Sequence, residues 1–360
     1  MRLGDLIALR PEPAAGLLAT LTRRCPLSCA HCSTSSGPRG EDTPAAALLR
    51  FAGGFTPAGR PEVMMLTGGE PLLRPALVRE LAALVRPAGT RTALLSGMFF
   101  ARDGRIPRPV MRAVAAVDHF SASIDIFHER EIPRRDTFRA LHRIMDAGLP
   151  VSIHATGSGP DDPYLAGLIA AVSDEFTGRV PMLVNTVRPA GRAAAWAAPA
   201  HAARLRPPPA GPAPCAMAAW PVIAFDGTVV ACCNQRAVDR RPVPAHLRLG
   251  HIADDTWPDI RRRCVESGVL RMIRTAGPAR LLAPFAAPPS PGGACAACHA
   301  LAGRPDALAA ARRDGTRPAA ALLDRESARL QRAAGPAALL RRYGCAPYAH
   351  LVQSPHGAAP

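Results

Sequence analysis

Short apolar runs alternate with helical stretches over residues 15 to 200, and this alternation constrains the fold more than any other feature of the chain. Such a pattern is typical of repeated βα units around a parallel sheet. The predicted strands are 17–22, 63–66, 92–96, 119–124, 150–155 and 180–187. Helices are predicted between them, at about 43–54, 72–86, 108–116, 136–147 and 163–176. The sequence therefore predicts an α/β fold, with active-site residues at the carboxyl ends of the strands.

Three cysteines follow the first predicted strand. Cys25, Cys29 and Cys32 lie in the run RRCPLSCAHC, with three and then two residues between them. This spacing is typical of iron–sulfur ligands, and three thiolates can hold three corners of a [4Fe-4S] cluster while the fourth iron stays open. An open iron indicates chemistry rather than electron storage alone. The alternatives are a zinc site or three unrelated thiols.

A second element, TGGEP at residues 67–71, follows the next predicted strand. Gly68 and Gly69 allow the backbone to come close to a ligand, and Glu70 can accept hydrogen bonds from an ammonium group. An ordinary strand-to-helix turn would be the alternative. Together with the cysteine spacing, this element makes the chain resemble the radical S-adenosylmethionine (SAM) superfamily.

The resemblance implies a partial (β/α)6 TIM-type barrel over residues 1–203, whose open side would admit a large substrate. It also implies a [4Fe-4S] cluster on the three cysteines and SAM as a cofactor. In this superfamily the segment that matches Thr67, Gly68, Gly69 and Glu70 holds the amino group of SAM.

Further SAM contacts are implied on the fourth βα unit and beside the cysteines. Ser123 and Asp125 point to one face of their strand and are candidates for hydrogen bonds to the ribose hydroxyls. Arg134 and Arg135 offer guanidinium groups to the SAM carboxylate, with a surface position as the alternative. His31 is expected to pack beside the adenine, unless it faces solvent.

Three other residues are weaker candidates. His128 is a candidate for substrate contact, although helix capping or a surface position fits it better. Arg188 and Arg192, in the run VRPAGRAA after the sixth predicted strand, are candidates for lining the site.

Composition changes after the proline-rich run RLRPPPAGPAP, which predicts a linker over residues 204–214. A hairpin with an Asp226-Gly227 turn follows. Cysteines return on both sides of this hairpin and again later in the chain, where four thiolates could close around an iron–sulfur cluster or zinc. These four are Cys215, Cys232, Cys295 and Cys298.

This arrangement resembles the twitch domain, a shortened SPASM domain behind the barrel of several radical SAM enzymes. The resemblance implies a small α+β cluster-binding domain over residues 215–304. No cysteine follows soon after position 298, which favours one auxiliary [4Fe-4S] cluster over two. Residues 305–360 are predicted to form a helical C-terminal extension with a disordered end.

Three further cysteines are not assigned to a cluster. Cys233 adjoins Cys232 and could replace it as a ligand, but neighbours along a strand point opposite ways, so only one of the two is expected to reach the cluster. Cys264, in a predicted helix, is most simply a small buried hydrophobe. Cys345 is a candidate proton or hydrogen-atom donor if the tail folds over the barrel, with simple packing as the favoured alternative.

Composition excludes some functions and disfavours others. All 44 basic residues are arginine, so a lysine Schiff base is excluded. The net charge of +16 is not gathered into a basic block with interleaved aromatics, so a nucleic-acid partner is disfavoured. No signal peptide and no apolar run of membrane-spanning length is evident. The ten cysteines therefore indicate metal ligands in a cytoplasmic protein, with no membrane partner.

The resemblance implies reductive cleavage of SAM to a 5′-deoxyadenosyl radical that abstracts hydrogen from a substrate. Twitch and SPASM members commonly act on ribosomal peptides or small alcohols, so the leading hypothesis is a peptide maturase that forms a cross-link, a thioether or an oxidised side chain. A flavodoxin- or ferredoxin-type electron donor is expected, and a separate leader-peptide-binding protein is a candidate partner. The alternatives are a small-molecule radical SAM dehydrogenase and, from another class, a zinc-stabilised binding module.

Overall fold

A computed structural model describes residues 1–198, 213–285 and 293–353. The predicted linker, apart from its last two residues, and the predicted disordered end beyond residue 353 lie outside this range.

Six parallel strands form the first part of the fold, and each overlaps its predicted strand with bounds that differ by at most two residues. They are β1 (Gly16–Thr20), β2 (Val63–Thr67), β3 (Arg91–Ser96), β4 (His119–Ser123), β5 (Val151–Gly157) and β6 (Met182–Thr186).

Helices cover the outer face of these strands, because alternate strand residues there are apolar and need a partner layer. Examples are Leu66, Leu94 and Phe120, which are fully buried. The α/β fold and the partial barrel are thus confirmed. The helices of this part are α1 (Leu3–Ala8), α2 (Ala45–Gly53), α3 (Pro75–Val85), α4 (Arg108–Val114), α5 (Ile126–Glu129), α6 (Arg134–Asp146) and α7 (Pro163–Phe176).

The sheet continues beyond the barrel strands. Strand β7 (Val222–Ile223) pairs in parallel with β1, and the predicted hairpin adds β8 (Thr228–Val230) and β9 (Arg248–His251). The strand order is β6-β5-β4-β3-β2-β1-β7-β8-β9. The barrel and the segment after the predicted linker therefore share one sheet.

The second half of the chain is mainly helical. The hairpin turn has Gly227 at φ 88°, a conformation that favours glycine. The α-helices are α8 (Gln235–Val238), α9 (Trp257–Glu266), α10 (Gly268–Thr275), α11 (Pro278–Leu282), α12 (Gly293–Ala300), α13 (Pro305–Gly315), α14 (Pro318–Ala333) and α15 (Gly335–Tyr343). The short 3-10 helices are Pro71–Leu73, Arg86–Ala88, Phe99–Gly104, Gly191–Ala193, Ala216–Ala218, Ala283–Phe285, Leu301–Gly303 and Ala346–Val352. No helix in the described ranges is long and apolar enough to cross a membrane.

The inner face of the barrel is filled by α1 and α15 together with Trp220. These elements pack on Val63, Met65 and Ala93, which point to the opposite side of the sheet from the residues under the outer helices. Polar residues share this inner face farther along the sheet. The His119 ring bonds the carbonyl of Met1 through Nδ1 and the Ser152 hydroxyl through Nε2, at 3.0 and 2.9 Å.

The segment after α15 crosses the side of the barrel that was expected to be open. The Cys345 amide donates to the Val184 carbonyl of β6 at 2.9 Å. The Tyr343 hydroxyl donates to the carbonyl of Pro214 at 2.9 Å and accepts from the amide of Ala216 at 3.0 Å. Residues 343–345 thus bridge β6 and the chain that leads into β7.

Candidate active site

The three cysteines of the first motif lie on one loop at the carboxyl end of β1. Cys29 is buried, while Cys25 and Cys32 are half-buried. Burial raises the pKa of Cys25 to about 12, and the charges of the other two thiolates add to this shift. Although burial opposes it, hydrogen bonds with Thr34 and Ser36 lower the pKa of Cys32. The three thiols are mutually repelling as anions, and a bound metal centre would relieve this repulsion, so the donor set fits an iron–sulfur cluster.

The glycines of the second motif support the base of the cysteine loop. The Gly69 amide donates to the carbonyl of Thr22 at 2.5 Å, and the Glu70 amide donates to the carbonyl of Arg24 at 2.8 Å. A Cβ on Gly69 would overlap the Arg24 carbonyl oxygen, and one on Gly68 would overlap that of Thr22. The glycines are therefore required for close approach of two backbones, in addition to any room they leave for a ligand.

Glu70 is fully buried between the ends of β2 and β3. Its carboxylate accepts from the amides of Leu72 at 3.0 Å and Gly97 at 2.8 Å, and from the hydroxyl of Ser96 at 3.0 Å. Burial raises its pKa to about 7 despite these donors. The Ser96 hydroxyl is also 3.1 Å from the other carboxylate oxygen, so each oxygen of Glu70 already faces two donors. Thr67 lies half-buried at the end of β2.

Asp125 joins two histidines in a buried cluster that we call the Asp125 cluster (His31, Asp125 and His128). Its Oδ1 lies 2.9 Å from His128 Nδ1, and its Oδ2 lies 3.2 Å from His31 Nε2. The Asp125 carboxylate also caps α5 by accepting from the amides of Phe127 and His128. The three ligand atoms all lie within 4.8 Å of one another. The sequence assigned Asp125 to a ribose and favoured capping or a surface position for His128, so the pairing of the two was missed.

The electrostatics of the Asp125 cluster favour a charged pair. Although burial opposes it, the neighbouring His128 and His31 lower the pKa of Asp125. Burial also opposes the charged form of His128, but Asp125 raises the pKa of this histidine to about 10. The His128 ring meets the His31 ring edge-on with centroids 5.2 Å apart, and because His31 follows Cys29 on the cysteine loop, this contact places the cluster against that loop. The His31 ring stacks on Phe127 with centroids 4.4 Å apart.

Three further residues were predicted to contact SAM, and their surroundings differ. Ser123 is half-buried at the end of β4. Arg134 forms an ion pair with Glu129 at 2.5 Å and lies over the ring of Tyr164. The Arg135 side chain is 81% exposed, and its nearest acid is Asp136 at 3.8 Å. The described structure does not bring Arg135 to the cysteine loop.

Arg192 lies in the 3-10 helix after β6, the last barrel strand, and its hydrogen bonds fix the backbone of the cysteine loop. Its Nε donates to the Cys29 carbonyl at 2.9 Å, its Nη1 donates to the Ser36 carbonyl, and its amide donates to the Cys32 carbonyl at 2.9 Å. The sequence placed it among the lining residues, and its support of the loop was missed. Arg188 donates instead to the carbonyl of Tyr343 at 2.7 Å.

Three of the four predicted auxiliary cysteines, Cys215, Cys232 and Cys298, have raised pKa values. Burial and then Cys295 raise the pKa of Cys215 to about 11. Burial, Cys215 and Cys295 raise the pKa of Cys298, and Cys232 is affected in the same direction by burial and by its neighbours. The Asn234 amide nitrogen lies 3.5 Å from the Cys295 sulfur.

The three unassigned cysteines take separate positions. Cys233 lies 3.3 Å from the Arg10 guanidinium and 3.6 Å from the sulfur of Met217. Cys264 is fully buried in α9 and donates to the carbonyl of Ala219 at 3.3 Å. Cys345 is 2% exposed, beside β6.

Comparisons with known sequences match the barrel. Residues 20–166 match the family model for the radical SAM superfamily. The PqqA peptide cyclase of Granulibacter bethesdensis is 29% identical over 153 residues, which are 40% of each chain. The AdoMet-dependent heme synthase of Methanosarcina barkeri is 40% identical over 112 residues, 29% of each chain. The chain thus spans two fifths or less of the length of these curated relatives.

Solved structures give more distant likenesses. SuiB of Streptococcus suis, bound to S-adenosylmethionine, has a TM-score of 0.48 at 12% identity, covering 69% of this chain and 65% of that one. The enzyme anSMEcpe with bound AdoMet and the Cp18Cys peptide has a TM-score of 0.46 at 12% identity, covering 68% and 79%. The family match runs from the end of β1 into α7, so residues 20–166 are a radical SAM domain.

Proposed function

We propose that this enzyme cleaves SAM reductively and abstracts a hydrogen atom from a ribosomally made peptide. The observation that carries the first part is the placement of Cys25, Cys29 and Cys32 on one loop at the carboxyl end of β1, within the radical SAM domain. When bound there, a [4Fe-4S] cluster supplies the electron that converts SAM to methionine and a 5′-deoxyadenosyl radical.

The protein's own residues would hold the loop and orient SAM. Arg192 and the two glycines fix the loop backbone, as their hydrogen bonds and close contacts indicate. Glu70 would accept from the SAM ammonium group if the Ser96 hydroxyl, which now reaches both carboxylate oxygens, gave up one of them. Thr67 and Ser123 lie half-buried at strand ends, where they would face the cofactor. Such fixed positioning matters because the radical carbon must lie beside one C–H bond and away from water.

Some implied SAM contacts would require side chains to change partners. Asp125 would have to share its oxygens between His31, His128 and a ribose hydroxyl. His31 would have to pack on adenine while stacked on Phe127. Of the arginines, Arg134 would have to leave Glu129, whereas Arg135 is exposed and would have to swing inward to reach a carboxylate.

A peptide substrate is supported by the similarity to two PqqA peptide cyclases, each about 30% identical over some 150 residues. The modification would be a cross-link, a thioether or an oxidised side chain. A second candidate, a small-molecule radical SAM enzyme, is favoured by the similarity to the AdoMet-dependent heme synthase. The zinc-stabilised binding module is set aside, because the radical SAM domain belongs to an enzyme.

An auxiliary [4Fe-4S] cluster on Cys215, Cys232, Cys295 and Cys298 is part of the proposal. Its support is that burial and the neighbouring thiols raise the pKa values of Cys215, Cys232 and Cys298, and that Cys295 is among the neighbours that do so for Cys215 and Cys298. A metal centre would offset that repulsion. The cluster would accept the electron of the substrate radical, while a flavodoxin- or ferredoxin-type protein would reduce the first cluster.

The test is anaerobic reconstitution, with iron and zinc counted and 5′-deoxyadenosine measured after dithionite reduction with SAM. We expect about eight irons per chain, as two [4Fe-4S] clusters contain. C29A should lose about four irons and all cleavage, whereas the double variant C295A/C298A should lose about four irons and keep cleavage. C264A is the matched control, because Cys264 contacts neither site, and it should keep both. Zinc in place of iron, or full cleavage by C29A, would contradict the proposal.

The substrate class is tested separately. The reconstituted enzyme is incubated with SAM and a synthetic peptide encoded beside its gene, and the peptide mass is followed. A mass change that depends on SAM and is absent in C29A supports a peptide substrate. If cleavage is normal but no such peptide is modified, the small-molecule alternative gains support.

A further inference from the structure

We propose that a groove on the second half of the chain binds an acidic segment of a peptide, away from the site of the radical chemistry. The groove lies between α9, α10 and α14, beside the residues that lead into β1, and has a volume of about 470 Å³. A role of this groove in substrate recognition rests on the proposed peptide substrate. The binding itself can be measured without SAM and without a cluster.

Arginines from three helices line this groove, which we call the basic groove. They are Arg261 on α9, Arg271 on α10, and Arg325, Arg329 and Arg332 on α14. The three helices are separate in the sequence, so the chain shows no basic block there and the fold gathers these charges. Among the described residues, the acids that line the groove are Glu12 and Asp324. Five positive and two negative charges leave the basic groove with a net charge of +3.

Both acids of the basic groove already have arginine partners. Asp324 is almost fully buried and forms an ion pair with Arg274, which also lies in the interior, at 2.7 Å. Glu12 forms an ion pair with Arg332 on the rim. Neither carboxylate is therefore available to neutralise the other arginines of the groove.

Three of those other arginines keep a charge that no carboxylate balances within the described ranges. Arg329 does have a partner, Glu326 on its own helix. Arg271 donates to two backbone carbonyls at 3.1 and 3.3 Å, which orient its guanidinium without cancelling the charge. Arg261 and Arg325 are exposed and form no ion pair with a described residue. The groove thus offers guanidinium groups to an anionic partner.

The spacing of the arginines on α14 fits carboxylates on an extended chain. Arg325 and Arg329 are four residues apart on one face of the helix, a rise of about 6 Å. Alternate side chains of an extended peptide point to one side and are about 7 Å apart. Guanidinium groups bind carboxylates through paired hydrogen bonds. A segment in which every second residue is acidic is therefore complementary to the groove.

The other residues of the lining favour a peptide over a nucleic acid. None of the described side chains that line the groove is aromatic, so bases would find no ring to stack on. Val265, Ala321 and Ala328 instead provide apolar surface between the arginines. Such a surface suits the small apolar side chains that alternate with acids in a peptide.

The basic groove lies at the opposite end of β1 from the cysteine loop. Glu12 and Pro13 line the groove and precede β1, whereas Cys25 follows that strand. The length of β1 separates these two ends by ~15 Å, since a strand rises about 3.3 Å per residue. A peptide bound in the groove would therefore be held by a segment other than the one that reacts.

The experiment measures the binding of a fluorescein-labelled peptide of six Glu-Ala repeats to the full chain, by fluorescence anisotropy at low salt and without SAM. R261Q/R325Q should bind this peptide about fivefold to tenfold more weakly than the wild type, because two exposed ion pairs are lost. R108Q/R112Q is the matched control, since it removes the same charge from two exposed arginines on α4, outside the groove, and should bind as the wild type does. A peptide of six Gln-Ala repeats should not bind.

Three results would overturn the inference. Equal affinity of the wild type and R261Q/R325Q would show that the groove is not the binding site. An equal loss in R108Q/R112Q would show attraction to the overall charge of the chain. Tighter binding of an oligouridylate of the same charge would favour a nucleic acid. A chain that binds the glutamate peptide in the groove but cleaves no SAM would instead refute the proposed function, so the two failures are distinguishable.

Discussion

At the scale of single residues, the site combines groups that the sequence reveals with groups that it hides. The spacing of the three cysteines and the TGGE segment are local patterns, so they can be read directly. Arg192 and His128 cannot be read in this way, because their partners on the cysteine loop, the Cys29 carbonyl and the His31 ring, are far away in the chain. The position of a single arginine or histidine in the sequence does not indicate which distant part of the chain its side chain will contact.

Gly69 provides a test at this scale. G69A should displace the cysteine loop, because the new Cβ would overlap the carbonyl of Arg24. We expect much less iron per chain after reconstitution, measured beside a thermal melt. G37A is the matched control on the same loop, since a Cβ there meets nothing within 4 Å. Equal iron content in the two variants would show that the close approach of the two backbones is not required.

At the scale of elements, apolar runs located the six barrel strands because each run is long enough to be buried on both faces. The pairing of β7 with β1 was not predicted, since it rests on only two residue pairs, Leu18 with Val222 and Ala19 with Ile223. The buried polar groups inside the barrel were also missed. His119 on β4 reads as an ordinary polar residue, yet it is fully buried and hydrogen-bonded at both ring nitrogens.

The buried histidine predicts a pH dependence of stability. Burial lowers the pKa of His119 to about 4. Between the ordinary histidine pKa and pH 4, the unfolded chain therefore binds a proton at this residue and the folded chain does not. The stability contribution should be present above pH ~6.5 and should fall by at most about 3 kcal/mol as the pH drops towards 4. Urea midpoints of wild type and H119Q should therefore converge over this range, while H142Q retains the wild-type slope. Parallel curves for wild type and H119Q would contradict this prediction.

A buried ion pair joins two helices of the second half of the chain. Arg274 on α10 contacts Asp324 on α14 through two hydrogen bonds of 2.9 and 2.7 Å, and both side chains are almost fully buried. R274A should cost about 3–5 kcal/mol in the free energy of unfolding, because Asp324 would stay buried without a partner. Denaturant unfolding would measure this loss.

Two comparisons identify the cause of that loss. The apolar double variant R274M/D324L should recover much of it, since no charge is then buried. R329A, which breaks the exposed pair with Glu326 on the same helix, should change stability little. A double variant as unstable as R274A would indicate that packing and not the unpaired charge is responsible.

At the scale of the whole molecule, the C-terminal segment completes a barrel that its own strands leave open. The sequence predicted a helical extension but not its place, because alanine- and arginine-rich helices carry a weak packing signal. Gly344 makes the closure possible, since a Cβ there would lie 2.9 Å from the carbonyl of Val184.

G344A tests this closure. The added Cβ should loosen the contact between residues 343–345 and β6, and so expose Cys345, which is 2% exposed in the wild type. Alkylation of Cys345 by N-ethylmaleimide, mapped by mass spectrometry, should become several times faster. G303A is the control, because a Cβ at that position meets nothing within 4 Å. An unchanged rate would mean that β6 and this segment are not tightly joined.

The pairing of β7 with β1 also bears on how the enzyme can be handled in the laboratory. A chain ended at residue 203, the predicted barrel boundary, would lack the strand that covers the edge of β1 and the Trp220 ring that packs against Gly16. Such a fragment would present an uncovered edge strand beside a bare apolar surface, a combination that promotes self-association. Expression of the barrel alone should therefore yield inclusion bodies, and any library or fusion scheme should carry the chain through β9.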